Sequence, residues 1–484
     1  MIAYREQRRR VRASEFLRQA EAARGFERQM LLGQFEAGVA DALCPDCDRD
    51  LGDHVEPPEE IEISVPEGFA YYALDPELYE RAAARFVKAE RPQRVAVIGI
   101  RAIGTTLSAI VARRLRESGC AVARWTVRPR GHPWNRELRI DQALAQAWRA
   151  WPGLFAVVDE GPGLSGSSFA AVSACLESLG IAPERVVLFP SWTPDGSAFI
   201  SAPARARWLL HRKYCIPFED LGLFGGACDL GAGKWRALRG LDLPVQPQHE
   251  RRKYLSRGRE GALPTLYKFA GYANFGRAAL ARAEALRGWI PGCGELDRGF
   301  ISMPWVSGRP PKVNAQFLDH AARYLAHVSH EFPAHEPVRF EPLAELIAVN
   351  SPRAPDAARW RGAVEDGHAV HLDARMFPHE WIETPAGYLK ADALDHHDDH
   401  FFPGPQDPAW DVAGTIVEFA LDAAAENHFV EVYRRASADR AIRARLPFYR
   451  LAYLAFRVGY WNLAGERFAR ERARSEALLE AVLS

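Results

Sequence analysis

The sequence lacks net charge, long apolar runs and a cysteine framework. Its 484 residues include 62 Lys plus Arg and 62 Asp plus Glu, so no overall positive field exists to hold a nucleic acid. No apolar run approaches the ~20 residues that cross a bilayer, and the N-terminal segment is charged where a signal peptide is apolar. Seven cysteines in so long a chain favour reduced thiols. These features predict a cytoplasmic protein with no membrane insertion and no bulk nucleic-acid binding.

The composition is that of a folded, multidomain chain. Hydrophobic residues make up 48% and charged residues 26%, which is ordinary for globular proteins. At about 150 residues per domain the length allows two to four domains. Composition shifts divide the chain into residues 1–60, 61–240 and 250–484, with a proline-bearing linker at residues 236–250. The sequence leaves open whether the protein forms a homo-oligomer.

Residues 1–60 are predicted to form a helical arm, because apolar residues recur at helical spacing between Arg and Glu. Cys44 and Cys47 have the spacing of zinc ligands. A tetrahedral site needs two further ligands, His54 would supply only one, and the sequence has no second CxxC. A zinc site and a turn at a helix end both remain open.

Residues 61–240 alternate short β-rich runs with helical segments. The runs lie at residues 94–99, 154–158 and 185–189. Strands alternating with helices predict a parallel sheet with right-handed crossovers. We therefore expect an α/β domain in this part of the chain.

Two acids and a small-residue loop follow the second of these strands. Asp159 and Glu160 come directly after the strand, and a Gly/Ser-rich loop at residues 161–168 then opens a helix. Glycines allow backbone N–H groups to approach an anion, the helix N-terminus adds partial positive charge, and serine hydroxyls donate to phosphate oxygens. The segment is a candidate phosphate cradle.

This segment resembles the PRPP-binding loop of type I phosphoribosyltransferases, although it is one residue longer and has Gly-Leu-Ser in place of Thr-Thr. The resemblance implies that Asp159 and Glu160 contact ribose hydroxyls. It implies that the 5-phosphate is held by Ser165, Gly166, Ser167 and Ser168.

Two further segments resemble the same family. Residues 97–107 resemble its pyrophosphate loop, and residues 126–136 lie where it has a mobile flap over the reaction centre. The resemblance implies cofactor-binding roles for Arg101, Gly104 and Thr105. It implies that departing pyrophosphate is neutralised by flap side chains, namely Arg128, Arg130, His132 and Arg136.

A different constellation begins after residue 250. Lys268 lies in an apolar strand, Glu284 lies in the amphipathic helix that follows, and residues 299–308 read as a strand that enters a Gly-terminated hinge. A buried Lys held by a helical Glu is how protein-kinase-like folds orient nucleotide phosphates. We expect Lys268 and Glu284 to pair.

Residues 369–413 resemble the aminoglycoside-phosphotransferase and choline-kinase branch of the kinase fold. They contain a His-x-Asp loop at residues 371–373, a hairpin, Asp392, and a helix start of the form Asp-Pro-Ala-x-Asp at residues 407–411. The resemblance implies that Asp373 is the base near the substrate hydroxyl, Asp392 binds Mg²⁺, Lys268 clamps the ATP phosphates, and Asp411 pins the catalytic loop. It also implies a two-lobed α+β domain.

The asparagine that serves this family as a second metal ligand is missing. Pro378, His379 and Glu380 occupy its neighbourhood, so Glu380 is the better replacement and His379 the poorer one, since Mg²⁺ prefers oxygen donors. The consecutive residues 395–400 (DHHDDH) read either as a polar substrate loop or as a transition-metal site.

The combined hypothesis is a bifunctional transferase of nucleotide or ribosyl metabolism that uses ATP, Mg²⁺ and PRPP. Its partners would be phosphorylated small molecules and nucleotides. In one alternative, one domain is an inactive nucleotide sensor that regulates the other. In a third, non-enzymatic hypothesis, the chain is an RNA-binding or scaffold protein that uses the arginines of residues 8–12 and the CxxC.

Overall fold

The chain divides into two compact units, an N-terminal and a C-terminal one. The computed structural model describes residues 8–52, 55–163, 165–197, 199, 201–247, 250–257, 263–351, 353, 356–398 and 402–483. The N-terminal unit contains residues 8–225 and 271–274, and the C-terminal unit residues 226–270 and 275–483. Within these ranges, no helix combines the length and hydropathy needed to cross a membrane.

The described residues of the N-terminal unit form nine strands and eight helices. In chain order they are β1 (Arg8–Arg12), α1 (Ala13–Ala22), α2 (Gly25–Leu43), β2 (Glu60–Ser64), α3 (Glu67–Ala70), α4 (Pro76–Glu90), β3 (Arg94–Ile100), α5 (Ile103–Glu117), β4 (Ala121–Val127), β5 (Arg130–His132), β6 (Asn135–Glu137), α6 (Gln142–Ala150), β7 (Leu154–Val158), α7 (Ser167–Ser178), β8 (Val186–Phe189), α8 (Ala202–Leu210) and β9 (Arg212–Lys213).

A five-stranded parallel sheet forms the centre of this unit, in the order β4-β3-β7-β8-β9. Val95 to Ile98 of β3 and Phe155 to Val158 of β7 are fully buried, because helices cover both faces of a parallel sheet. Gly99 pairs with Val158, so the loops that follow β3 and β7 leave the same edge of the sheet. The predicted parallel α/β arrangement is confirmed.

The arm differs from its helical prediction at its first residues. Arg8–Arg12 form a strand that pairs antiparallel with Glu60–Ser64. Ile61 and Ile63 of β2 are buried in a small core with Phe16 of α1, so the hairpin covers apolar surface. Helices α1 and α2 lie where the periodicity placed them.

The C-terminal unit has seven strands and nine helices over its described ranges. They are β10 (Cys228–Asp229), α9 (Trp235–Arg239), β11 (Lys253–Ser256), β12 (Thr265–Phe269), α10 (Asn274–Ala285), β13 (Leu296–Asp297), β14 (Phe300–Pro304), α11 (Ala315–Glu331), α12 (Phe340–Asn350), α13 (Arg361–Glu365), β15 (Trp381–Thr384), β16 (Gly387–Lys390), α14 (Ala409–Glu418), α15 (Ala423–Ser437), α16 (Ile442–Ala464) and α17 (Ala469–Leu483).

An antiparallel sheet and a helical part make up this unit. The sheet has the order β10-β11-β12-β14-β13, and Lys268 lies in its central strand, paired with Ile301 of β14. The later helices pack around a core that includes Trp410, Tyr433 and Tyr449. The β15–β16 hairpin lies between the catalytic-loop motif and Asp392 in sequence, as the motif order predicted. A sheet followed by helices is the α+β arrangement expected for this half.

Candidate functional site

A cavity of about 380 Å³ lies in the C-terminal unit, next to the residues of the kinase-like motifs. Strand β14 and the segment after it contribute Met303, Pro304 and Trp305 to its wall. Charged residues in the lining include Lys253, Lys268, Arg375, Glu380, Asp392 and Arg457. The cavity therefore combines an apolar wall with a dense set of cations and carboxylates, which suits a phosphorylated ligand that carries a flat apolar group.

Lys268 pairs with two acids of the loop after β16. Its Nζ contacts Asp392 Oδ1, and it lies 2.8 Å from Asp395 Oδ1. The predicted pair with Glu284 is wrong: Glu284 is half-exposed on α10 and forms its ion pair with Arg287. The Lys268 ammonium group thus lies among carboxylates of residues that come more than 120 residues later in the chain.

Asp373 is held at its position by Asp411. The Asp411 carboxylate accepts backbone N–H bonds from Asp373 and Ala374, each 3.0 Å long. This is the pinning contact that the resemblance implied. Burial, with the nearby Asp373 carboxylate, raises the pKa of Asp411 to about 8. The Tyr324 hydroxyl donates to Asp373 Oδ2, so both oxygens of the base candidate have defined surroundings.

Lys390 is a wholly buried cation that none of the sequence motifs singled out. Its Nζ lies 3.1 Å from Asp373 Oδ1 and 3.0 Å from Glu380 Oε2, and it donates to the Asp392 carbonyl at 2.6 Å. Burial raises the pKa of Glu380 to about 7, even though Lys390 and Arg375 act in the opposite direction. A Lys at the end of a strand, two residues before a candidate metal ligand, was the available sequence signal.

His379 is not positioned with the acids. Its ring stacks between Trp235 at 5.7 Å and Phe377 at 5.2 Å between ring centroids, and its carbonyl accepts a bond from Arg239. Burial, with the neighbouring cations, lowers the pKa of His379 to about 3. The structure therefore gives His379 an aromatic packing role, and the prediction that it ligates metal has no geometric support.

Two groups of metal-ligating side chains occur in the described part of the chain, and both contain His396. One consists of Asp373, Glu380 and His396, and the other of Asp392, Asp395 and His396. Carboxylate oxygens are the donors that Mg²⁺ prefers, which suits the predicted role of Asp392. Glu380 falls in the other group and lies 3.0 Å from the Lys390 ammonium, so the structure does not bring it to the same ion as Asp392. Sequence reasoning missed Asp395 and His396 as members, having weighed them only within residues 395–400. Asp399 and His400 lie outside the described residues.

Ion pairs and burial set the charge state of the second group. Burial alone would raise the pKa of Asp392, but the ammonium groups of Lys268 and Lys253 outweigh it and hold the pKa well below its ordinary value. Burial and Arg375 lower the pKa of His396 well below its ordinary value. The group thus presents ionised carboxylates and a neutral imidazole.

The acids of the N-terminal unit lie at the predicted sheet edge. Glu160 Oε2 accepts a 2.7 Å bond from the backbone of Gly68, and the Asp159 carbonyl accepts from Tyr79. A Cβ added at Gly104 would lie 2.7 Å from the Val158 carbonyl and 3.4 Å from an Asp159 carboxylate oxygen. The loops after β3 and β7 therefore meet, and only glycine fits at residue 104. Thr105 is buried directly beside it.

The β5–β6 hairpin lies over the serine loop. Ser167 donates to the Pro133 carbonyl at 2.6 Å, and Arg136 donates to Ser168 at 3.1 Å. Ser165 and Ser167 share a 2.9 Å hydroxyl contact next to Gly166, which has a positive φ of 62°. His132 is exposed at the tip of the hairpin. The serine loop and the β5–β6 hairpin are thus in direct contact.

Arg101 and Arg128 are bound by acids of the arm. Arg101 contacts Asp41 at 2.8 Å and also Asp48, and Arg128 contacts Asp41 at 2.5 Å. The Arg101 side chain is 1% exposed and Asp48 is wholly buried. The predictions that Arg101 binds the cofactor and that Arg128 neutralises departing pyrophosphate are therefore corrected: the chain's own carboxylates neutralise both side chains.

The CxxC segment shows no zinc-type cluster within the described residues. Cys44 is buried and Cys47 partly so, all seven cysteines are free thiols, and neither belongs to a group of three metal-ligating side chains. His54, the other candidate ligand, lies outside the described residues. The Cys44 carbonyl instead accepts a bond from Arg130.

The comparisons with known proteins give distant likenesses. No protein-family model and no curated protein matches the chain. Solved structures that resemble part of it include the choline kinase LicA from Streptococcus pneumoniae (15% identity, 51% of this chain, 97% of that chain, TM-score 0.32). Others are a choline/ethanolamine kinase family protein from Mesorhizobium loti (18%, 55%, 90%, 0.35) and a macrolide 2'-phosphotransferase type I (12%, 55%, 98%, 0.35). Because these TM-scores lie below 0.5, we infer the function of this chain from its own side chains.

Proposed function

We propose that the C-terminal unit is an ATP-dependent phosphotransferase that acts on a small hydroxylated molecule. The contact of Lys268 with Asp392 at the wall of the cavity carries this proposal, because it joins the phosphate clamp to the metal ligand. Asp373, whose backbone N–H is held by the Asp411 carboxylate, supplies the base for the acceptor hydroxyl. Phosphoryl transfer requires mainly positioning and charge stabilisation, and these residues provide both.

The proposed step transfers the γ-phosphoryl group of ATP to an acceptor hydroxyl. The acceptor oxygen forms a bond to phosphorus, the bond from phosphorus to the bridging oxygen of ADP breaks, and the hydroxyl proton passes to the Asp373 carboxylate. Lys268 binds phosphate oxygens. Mg²⁺, when bound through Asp392, would neutralise phosphate charge.

The test is ADP formation with Mg²⁺-ATP and a panel of nucleosides, sugars, choline, ethanolamine and aminoglycosides. We expect turnover with at least one acceptor, and a loss of about 10²- to 10⁴-fold in kcat for Asp373→Asn. Asp392→Asn should also abolish turnover. Asp319→Asn is the matched control, because Asp319 is a partly exposed acid that pairs with His428. Turnover that survives in both Asp373→Asn and Asp392→Asn would exclude this function.

We also propose that the N-terminal unit binds a ribosyl phosphate such as PRPP. The proposal is supported by the meeting of Asp159, Gly104 and the serine loop at the carboxyl ends of β3 and β7. Helix α7 begins at Ser167, so its first backbone N–H groups lie at the serine loop. Such a site suits a ligand that carries both hydroxyls and a phosphate.

The contacts of Arg101 and Arg128 favour a unit that senses this ligand over one that catalyses ribosyl transfer. Transfer requires cations that stabilise departing pyrophosphate, whereas Arg101 and Arg128 already pair with Asp41 and Asp48. In this version the unit binds the phosphate and regulates the kinase-like half. A fully bifunctional enzyme remains the competing version.

Thermal unfolding with PRPP, ribose 5-phosphate and pyrophosphate tests binding. A ligand at 100 times its Kd stabilises the folded protein by about 2.7 kcal/mol, which is a shift of a few degrees. Ser168→Ala and Asp159→Asn should reduce the shift, and Ser178→Ala, an exposed serine of the same helix, should not. Release of pyrophosphate with stabilisation supports transfer, stabilisation without release supports sensing, and no shift excludes both.

A further inference from the structure

Arg282 is a buried arginine of α10 whose guanidinium group holds three backbone carbonyls. Its Nε donates to the Ala393 carbonyl at 2.8 Å, and its terminal nitrogens donate to the carbonyls of His371 at 2.9 Å and Leu372 at 2.8 Å. The residue is 5% exposed. The donors of a guanidinium group lie in a rigid planar fork. Three bonds from one such fork therefore fix both the distance and the angle between the segments that accept them.

These carbonyls belong to the two loops that carry the proposed phosphotransfer residues. Leu372 directly precedes Asp373, the proposed base. Ala393 directly follows Asp392, the proposed metal ligand. Arg282 thus joins the loop of the base to the loop of the metal ligand through a single side chain.

The peptide group between Leu372 and Asp373 is held at both of its polar atoms. Its carbonyl oxygen accepts from Arg282, and its N–H donates to the Asp411 carboxylate at 3.0 Å. Because a peptide group is planar, it cannot rotate without breaking one of these two bonds. Arg282 and Asp411 together therefore set the direction in which the Asp373 side chain leaves the backbone.

Phe332, which follows α11, supports the same arrangement from another side. The guanidinium carbon of Arg282 lies 4.1 Å from the centroid of the Phe332 ring, a cation–π contact that restricts its orientation. The Phe332 carbonyl accepts a 2.9 Å bond from the backbone of His371. The guanidinium group is therefore fixed by its own neighbours and can serve as a rigid joint.

We propose that Arg282 is a positioning residue for phosphoryl transfer, which fixes the separation of Asp373 from Asp392. It thereby aligns the acceptor hydroxyl with the phosphoryl group to be transferred. Reacting atoms must lie about 3 to 3.5 Å apart, and a misplacement of about 1 Å costs about 10²-fold in rate. This inference rests on the proposed phosphotransferase function and adds to it a residue that touches neither ATP nor the acceptor.

Arg282→Lys tests this role, because the variant keeps the charge but replaces the three-bond fork with a single ammonium group. We expect kcat for phosphoryl transfer to fall about 10- to 100-fold while the KM for Mg²⁺-ATP stays within about threefold, since Lys268 and the cavity wall still bind ATP. Arg287→Lys, at a 78% exposed arginine just after α10, is the matched control and should change neither value. An unchanged kcat, or a rise in KM alone, overturns the inference.

The Asp373→Asn background separates positioning from a general loss of structure. Residues that act through the same group have non-additive effects on rate. Once the base is removed, Arg282→Lys should lower the residual kcat by less than about threefold further. A fall by the same factor in both backgrounds would contradict a role that acts through Asp373.

Hydrogen exchange of the full-length protein measures the alignment of the loops without turnover. Arg282→Lys should speed amide exchange in peptides that cover residues 369–376 and 391–395, and leave α11 and α16 at wild-type rates. Faster exchange throughout the C-terminal unit would make Arg282 a general stability contact and overturn the proposal. If Arg282→Lys does not fold, Phe332→Leu removes the ring beside the guanidinium group, keeps the backbone carbonyl, and should give the same pattern at smaller amplitude.

The two measurements also distinguish this inference from the proposed function. A wild-type protein that phosphorylates no acceptor rejects the kinase function, and selective exchange in the two loops would still support their joining by Arg282. Turnover by the wild type, together with unchanged kcat and unchanged exchange in Arg282→Lys, rejects the role of Arg282 and retains the function.

Discussion

The two units each contain a dense cluster of opposite charges, and the clusters differ in what surrounds them. In the N-terminal unit, Arg101 and Asp48 form a pair whose side chains are 1% and 0% exposed, and Asp41, which is 21% exposed, binds Arg101 and Arg128 beside it. In the C-terminal unit, Lys253, Lys268 and Asp392 pair at the wall of a 380 Å³ cavity. Similar ion-pair chemistry is therefore structural in one unit and accessible to a ligand in the other.

The difference between the clusters explains why an arginine near a motif is weak evidence for a ligand contact. A buried charge needs a partner, and the nearest carboxylate of the same chain satisfies it as well as a substrate does. Where the pair lines a cavity, a ligand can exchange with one member. Where the pair is wholly enclosed, removing one member leaves the other uncompensated.

The largest expected effect is on the enclosed cluster. Arg101→Ala should lower the free energy of unfolding by about 3 to 5 kcal/mol, because Asp48 stays buried with fewer cationic partners. Urea unfolding followed by tryptophan fluorescence measures this loss. Arg113→Ala, which removes an exposed pair with Glu80, is the matched control and should cost about 0 to 1 kcal/mol. Equal losses in the two variants would remove the distinction between the clusters.

A second prediction concerns the pH dependence of stability that Glu380, in the wall of the cavity, produces. In the folded protein the pKa of Glu380 is raised to about 7 from its ordinary 4.5, so between these values the folded state keeps a proton that the unfolded chain loses. Stability therefore falls as pH rises through this window and levels off above it. The difference between the two pKa values corresponds to on the order of 3 kcal/mol.

Urea unfolding of wild type and Glu380→Gln from about pH 4.5 to about pH 8 tests this dependence. The variant cannot titrate at this residue, so its stability should fall less steeply with pH in the same window. Loss of the ion pair with Lys390 shifts the whole curve of the variant but does not restore the slope. If the stabilities of wild type and Glu380→Gln changed in parallel with pH, Glu380 would be ionised over the whole pH range of the test.

Local motifs predicted the parts of the fold that depend on neighbouring residues in sequence. The buried strands β3 and β7 were evident from their apolar runs, and the contact of Asp411 with the catalytic loop followed from a motif of fixed order. The partners of Arg101 were not predictable, because Asp41 and Asp48 lie more than 50 residues earlier in an arm whose packing no local pattern specifies.

His396 and Glu284 show what spacing in the sequence leaves undecided. Residues 395–400 fitted both a substrate loop and a metal site, and in the structure a short helical turn at His396–Asp398 brings the His396 ring to 3.7 Å from Asp392, four residues earlier. Glu284 was chosen because it lies in the right helix, but which face of α10 turns inward depends on packing. Arg282, two residues earlier, is the buried charge of that helix.

The smallest expected effect is that of Glu284→Gln. Since Glu284 is 53% exposed and pairs only with Arg287 among the contacts described for its carboxylate, its loss should change stability by less than about 0.5 kcal/mol and kcat/KM for phosphoryl transfer by less than twofold. Lys268→Ala, in the same assay, should lower kcat/KM at least a hundredfold. If Glu284→Gln instead lowers kcat/KM as much as Lys268→Ala does, then Lys268 turns toward α10 when ATP binds. Its contacts with Asp392 and Asp395 would then belong to the ligand-free state alone.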